Sequence, residues 1–183
     1  MLTKIKENML YQGQWLELKE EFFKNDTDQL IRWETIHKHG SNVCVIIIAR
    51  LLPSERLVLI RQFRPALNKI MLGFPAGMMD TDASIEEAAL REFKEETGYI
   101  GQIENTSMPT NINGGIMNMQ AYFIKVTVDE TLPQNQTPIQ ELEMEEEIEV
   151  VLQHKSTLKQ FLKSEYESGV DISSILWCMA ETF

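Results

Sequence analysis

Three glutamates, Glu92, Glu95 and Glu96, fall at i, i+3 and i+4, a spacing that puts their carboxylates on one face of a helix. Like charges so placed destabilise a helix by roughly 0.2 to 0.5 kcal/mol per pair, and Arg91 and Lys94 relieve only part of that. A bound cation would neutralise the cluster. Oxygen-only ligation, without a cysteine or a paired histidine nearby, suits Mg²⁺ or Mn²⁺ rather than zinc. His37 and His39 share one side of a strand, which by itself is a surface pattern, and His154 has no partner in sequence.

A second acidic run lies far along the chain. The 183 residues carry 17 basic and 28 acidic side chains, a net charge of −11. Seven acids against Arg91 and Lys94 in residues 80–98 leave −5, and six glutamates without a base in residues 141–149 leave −6, so these two stretches hold the whole excess. Each alone would read as a solvated face; two together are candidates to converge on a divalent ion. The same acidity argues against nucleic acid and anionic membrane as partners, because the protein begins by repelling both.

The elements that must position these groups follow from pattern. Ser84 with Glu87 forms a capping-box signature, Ile85, Ala89 and Phe93 repeat at i, i+4 and i+8, and Gly98 supplies a stop, so a helix is expected over 84–97. Strand-like runs at 14–23 and 29–38, separated by the turn 24–28, predict a hairpin appended to the main domain. Runs 42–49 and 56–61, joined through Pro53-Ser54-Glu55, predict a second hairpin. Residues 62–79 read as loop, broken by Pro65, Gly73, Pro75 and Gly77. Strands are expected at 99–104, 120–128 and 148–153, and helices at 155–167 and 171–181. Irregular alternation of this kind predicts an α+β, layered α/β/α domain.

An apolar fraction of 43% and this length suit one domain with a small appendage. Cys44 and Cys178 cannot build a disulfide framework, and Cys44 lies within the apolar run 43–49. No apolar stretch approaches the ~20 residues a spanning helix needs. A soluble, unprocessed, cytoplasmic protein is expected.

Residues 77–99, GMMDTDASIEEAALREFKEETGY, resemble the Nudix box, GX5EX7REUXEEXGU, with Gly77, Arg91, Glu92, Phe93, Glu95, Glu96, Gly98 and Tyr99 in register. Ala83 stands where the box has its first glutamate. The resemblance covers most of the chain and is closest to ADP-ribose and ADP-sugar pyrophosphatases. It implies a Nudix α/β/α sandwich with a mixed sheet. Residues 1–40 would be an N-terminal β extension for dimerisation and substrate binding, and residues 41–183 the hydrolase domain. It implies Mg²⁺, with Mn²⁺ an alternative, held by Glu92 and Glu96, with Glu95 in support, and by the Ala76 carbonyl. Arg91 would orient the glutamates, and Ala83 would weaken their support.

The segment ELEMEEEIEV resembles the family's acidic loop, and alignment of 148–151 with the following strand selects Glu146 as base or distal ligand. Glu143, Glu145 and Glu147 stay open as alternatives. Trp15 and Trp33 resemble tryptophans that sandwich adenine across a dimer interface, the alternative being that both merely pack the hairpin; Glu34 resembles a residue that contacts the base. Arg64 matches the phosphate-binding arginine, Arg61 reads as structural, and Lys38 stands where some members reach phosphate from the partner subunit. Gly114 occupies the place of a proline typical of members that prefer ADP-ribose, and 111–115 reads as a substrate loop or a plain turn.

The expected activity is Mg²⁺-dependent hydrolysis of ADP-ribose or another nucleoside diphosphate sugar to a nucleoside monophosphate and a sugar phosphate by a homodimer. Alternatives are hydrolysis of dinucleotides or coenzyme A, a non-catalytic Nudix-like nucleotide-binding module, and an acidic protein whose glutamates only solubilise it.

Overall fold

A computed structural model describes residues 1–79 and 82–182. Asp80, counted above in the first acidic cluster, and Thr81, both inside the box, lie outside the described residues, as does Phe183.

The N-terminal strands β1 (Thr3–Gln12), β2 (Leu16–Lys24) and β3 (Leu30–Lys38) form their own antiparallel sheet in the order β1-β2-β3. The expected hairpin is β2 and β3, in register from Leu16 opposite Lys38 to Lys24 opposite Leu30. Its turn closes on Asn25, whose side-chain oxygen accepts from the N–H groups of Thr27 and Gln29. Sequence reading missed β1. All ten of its residues are exposed, so it carries no burial pattern, and only its backbone pairing with β2 makes it a strand.

Among the described residues the main sheet has nine strands. It contains β4 (Val43–Leu52), β5 (Arg56–Arg64), β6 (Lys69–Gly73), β7 (Ala76–Met78), β8 (Gln102–Thr106), β9 (Thr110–Asn111), β10 (Gln120–Asp129), β11 (Ile148–His154) and β12 (Asp171–Ile172). Its spine runs β12-β6-β5-β4-β10-β8, with β11 on β5, β7 on β4 and β9 on β10. Parallel pairing joins β4 to β10 over ten residues and β12 to β6; the remaining ladders are antiparallel, so the sheet is mixed.

Side chains of β4 alternate between two cores. Val45, Ile47, Ala49 and Leu51 pack with Ala88, Ala89 and Phe93 of helix α1 (Ile85–Thr97). Cys44 and Ile46 face the opposite cluster, which holds Leu158 and Leu162 of α3 (Leu158–Glu167) and Leu176 of α4 (Ser174–Ala180). A short helix, α2 (Pro133–Gln136), lies between β10 and β11. Burial on both faces explains why residues 43–49 read as an unbroken apolar run. The layers are α/β/α, as expected.

Several expectations need correction. Residues 62–79 are not one loop: β5 continues to Arg64, and β6 and β7 follow, with Pro65 and Pro75 sitting between strands rather than abolishing them. Strand β8 begins at Gln102, after an irregular stretch from Tyr99. The run 155–167 opens with a 3₁₀ turn before α3, and 171–181 opens with β12, which adds parallel to β6 before α4 starts.

Helix α1 has the termini its sequence promised. Ser84 accepts from the Glu87 N–H and Glu87 returns the bond to the Ser84 N–H. Gly98 closes the helix at φ 74° with its N–H on the Lys94 carbonyl at 2.7 Å. A Cβ at Gly98 would also overlap the backbone of Pro138 and Ile139. Gly98→Ala should therefore lower unfolding stability by more than the ~1 to 2 kcal/mol of left-handed strain alone, read as a fall in the urea midpoint. A fall no larger than that strain would show that 138–139 can move away freely.

Candidate active site

The apolar stripe of α1 that docks on β4 also turns Glu92 and Glu96 toward β7. Glu96 is only 2% exposed and Glu92 is half-buried, while Glu95 stays nearer the surface. Strand β7 crosses directly over them. The Ala76 N–H donates to Glu96 Oε2 at 2.9 Å, and a Cβ on Gly77 would fall inside the Glu92 carboxylate. Glycine at 77 is what lets β7 lie against the helix.

Burial pushes the Glu96 carboxyl up to about 8, and the nearby Glu146 and Glu92 charges add to the rise; the Ala76 N–H and Arg64 oppose it. Burial likewise raises Glu92, with Arg91 opposing and Glu95 and Glu146 adding. Glu146 thus acts on both helix carboxylates from some fifty residues away in sequence. Arg91 forks between Glu95 Oε2 at 2.7 Å and Glu92 Oε1 at 2.8 Å.

The acidic loop reaches this place because its start is bonded to the end of α1. Glu141 N–H donates to the Glu95 carbonyl at 2.9 Å, and the Gln140 amide to the Glu96 carbonyl at 2.6 Å. Sequence reading assigned nothing to Gln140. A lone glutamine ahead of a glutamate run carries no signal until tertiary contacts are known.

Of the residues singled out from sequence, Glu92, Glu96, Glu146, Ala76 and Arg64 come together here, with Glu95 at the rim. Trp15, Trp33 and Glu34 stand apart on the N-terminal sheet. Trp15 is 66% and Trp33 50% exposed, so neither is a packing residue of a core, although Trp33 Nε1 donates to the Gly115 carbonyl at 2.8 Å. The His39 N–H bonds the Trp15 carbonyl, which places Trp15 opposite residue 39, six residues from Trp33 along the strand direction. At ~3.3 Å per residue that separates the two backbones by roughly 20 Å. Glu34 projects from the face opposite Trp33. Arg61 anchors structure: it binds both oxygens of Glu165 and one of Glu149, each at 2.7 Å. Ala83 packs on the α1 core.

Beside Ala76 and Gly77 opens a cavity of about 300 Å³ lined by Arg64, Met78, Ile112 and Met119 among others. A larger groove of about 670 Å³, between β6, β12, α3 and α4, reaches none of the glutamates above. Among the described residues no three His, Cys, Asp or Glu side chains already form a closed ligand set. The chemistry of the donors nonetheless fits a hard divalent ion. Glu92, Glu96, Glu146 and the Ala76 carbonyl offer oxygen alone, and the buried Glu96 carboxyl sits in an acidic field that a cation would reverse.

A model of the NUDIX domain matches residues 38–165, beginning at the last residue of β3. Putative nudix hydrolase 2 of Caenorhabditis elegans is 32% identical over 182 residues, 95% of this chain and 82% of that protein. ADP-ribose pyrophosphatase of Saccharomyces cerevisiae is 33% identical over 144 residues, 74% of this chain and 62% of that protein. The crystal structure of an ADP compounds hydrolase superposes with a TM-score of 0.71 at 17% identity, covering 88% of this chain and 83% of that one, a likeness of fold.

The buried carboxyl has a consequence for the ion-free protein. Its folded pKa, about 8, lies above the usual 4.5, so the folded state disfavours ionised Glu96. The destabilisation is full above the folded value and fades as pH falls toward the unfolded one, on the order of a few kcal/mol in all. With chelator present, Glu96→Gln should raise the melting temperature at pH 8.5 and change it little at pH 4.5. Equal shifts at both pH values would mean that the Glu96 charge is not what strains the fold.

Proposed function

The chain belongs to the Nudix family and is a Nudix hydrolase, and from that premise we propose Mg²⁺-dependent cleavage of the pyrophosphate of ADP-ribose or another nucleoside diphosphate sugar, giving a nucleoside monophosphate and a sugar phosphate. The observation that carries the proposal is the buried Glu96 carboxyl, held by the Ala76 N–H and facing Glu92, Glu146 and Arg64.

Glu92, Glu96 and the Ala76 carbonyl would hold the ion, with Glu95 in support and Mn²⁺ able to substitute. A divalent ion held there would screen the diphosphate oxygens and lower the pKa of a water. Glu146 would accept the proton of the attacking water as that oxygen bonds to phosphorus and the bridging P–O bond breaks to release the second phosphate. Arg64 grips the diphosphate with its planar fork at the mouth of the adjoining cavity. Arg91 keeps Glu92 and Glu95 aimed.

Residues 1–40 serve as a dimerisation and substrate-binding extension to the hydrolase domain of residues 41–183. Exposed Ile5, Met9, Tyr11 and Leu30 on that sheet support a second copy as the partner, and the ~20 Å between the Trp15 and Trp33 backbones accords with stacking of adenine between indoles of different protomers, from which Glu34, on the opposite strand face, points away. Two free cysteines, Cys44 and Cys178, accord with a cytoplasmic setting. No helix among the described residues is long and apolar enough to cross a membrane.

A panel of nucleoside diphosphate sugars, dinucleotides and coenzyme A, assayed with Mg²⁺ by phosphate release after phosphatase coupling, tests the activity. ADP-ribose or a related ADP-sugar should be cleaved fastest; binding without product across the panel would replace hydrolysis with a ligand-binding role. Glu96→Gln should lower kcat by ~10² or more with the fold intact. Trp33→Ala should raise KM several-fold while kcat moves less than twofold, and an unchanged KM would remove Trp33 from the substrate site.

A further inference from the structure

Gln140 lies between α2 and β11, and both hydrogens of its side-chain amide are engaged. One bonds the carbonyl of Glu96 at 2.6 Å, the other the carbonyl of Ile148 at 3.1 Å. The first carbonyl belongs to the residue whose carboxyl is buried at the centre of the site. The second opens β11. Between them runs the acidic loop.

The neighbourhood of Gln140 makes this pair of bonds a clamp. The last four carbonyls of α1 lack partners within the helix, and the incoming segment supplies some. Glu141 N–H takes the Glu95 carbonyl, while Pro138 and Ile139 press against Gly98 where no Cβ would fit. The loop then folds on itself, with Glu146 N–H on the Glu143 carbonyl at 3.1 Å and Glu143 N–H on the Glu146 carboxylate at 3.2 Å. The Lys94–Glu141 ion pair is exposed and adds little. One side chain therefore ties both ends of the loop to the backbone of Glu96.

We infer that Gln140 is a positioning residue that sets the distance between Glu146 and the Glu92/Glu96 pair. The inference rests on the reading of Glu146 as base or distal ligand. Gln140→Glu preserves the shape, removes both donors and turns acceptor oxygens toward two carbonyls. Gln140→Met keeps the length without charge and carries the test should the glutamate variant not fold.

Hydrogen exchange of the ion-free protein, Mn²⁺ binding followed by electron paramagnetic resonance, and steady-state hydrolysis across a Mg²⁺ series form the experiment. In the variants, amides 141–147 should exchange at least tenfold faster while β4 and β10 keep wild-type protection. Mn²⁺ affinity should fall about tenfold, and kcat should fall about 10- to 100-fold with KM within twofold. Wild-type exchange in the loop, wild-type Mn²⁺ affinity, or faster exchange throughout the sheet would each overturn the assignment. Should the wild-type protein cleave nothing in the panel, the proposed activity fails while loop exchange and Mn²⁺ affinity still decide what Gln140 does.

Discussion

A carboxylate removed from water at the end of a helix, with two more drawn toward it, is the constraint around which this protein is arranged. Glu96 is 2% exposed and has one backbone donor, and its neighbours Glu92 and Glu146 oppose its ionisation. A buried charge without compensation is disfavoured by several kcal/mol, so the surrounding fold must hold it in place. Two packed layers do so. Phe93 and Ala89 on the same helix are fully buried against β4, and fully burying a side chain the size of Phe93 contributes roughly 1.5 to 3 kcal/mol. Helix α1 cannot roll its acidic face outward without exposing them.

Two glycines convert that helix into a site. Gly77 removes the Cβ that would occupy the Glu92 carboxylate, so the backbone of β7 can bring the Ala76 N–H to Glu96. Gly98 removes the Cβ that would occupy Pro138 and Ile139, so the chain leading to Glu146 can close over the end of α1. In the family's motif both positions are glycine. In this structure each has a separate steric reason, one for each strand of chain that must approach the glutamates.

The N-terminal sheet obeys a different logic. Strand β1 is fully exposed, β2 mostly half-buried and β3 between the two, while Trp15 lies in the bend before β2 and Trp33 within β3. Contact with the hydrolase domain is sparse, including the Trp33 bond to Gly115 and a parallel bridge from Ile36 to Met117. Exposed apolar side chains, among them Ile5, Met9, Tyr11 and Leu30, are gathered on this sheet.

Local chemistry was enough to determine α1, its two caps, the glutamate spacing and the buried strands, because capping, helical period and apolar runs act over a few residues. The resemblance of residues 77–99 to the Nudix box was readable for the same reason. Strand β1 was not, since it buries nothing and exists through pairing alone; nor were β6, β7 and β12, whose short runs lie among prolines and glycines that mark turns as well as loops. Which glutamate of the acidic run faces the helix, that Gln140 spans Glu96 and Ile148, and that Trp33 bonds the Gly115 carbonyl were decided by tertiary structure. Those facts depend on backbone brought together from distant parts of the chain, and no local pattern records which carbonyl a side chain will find.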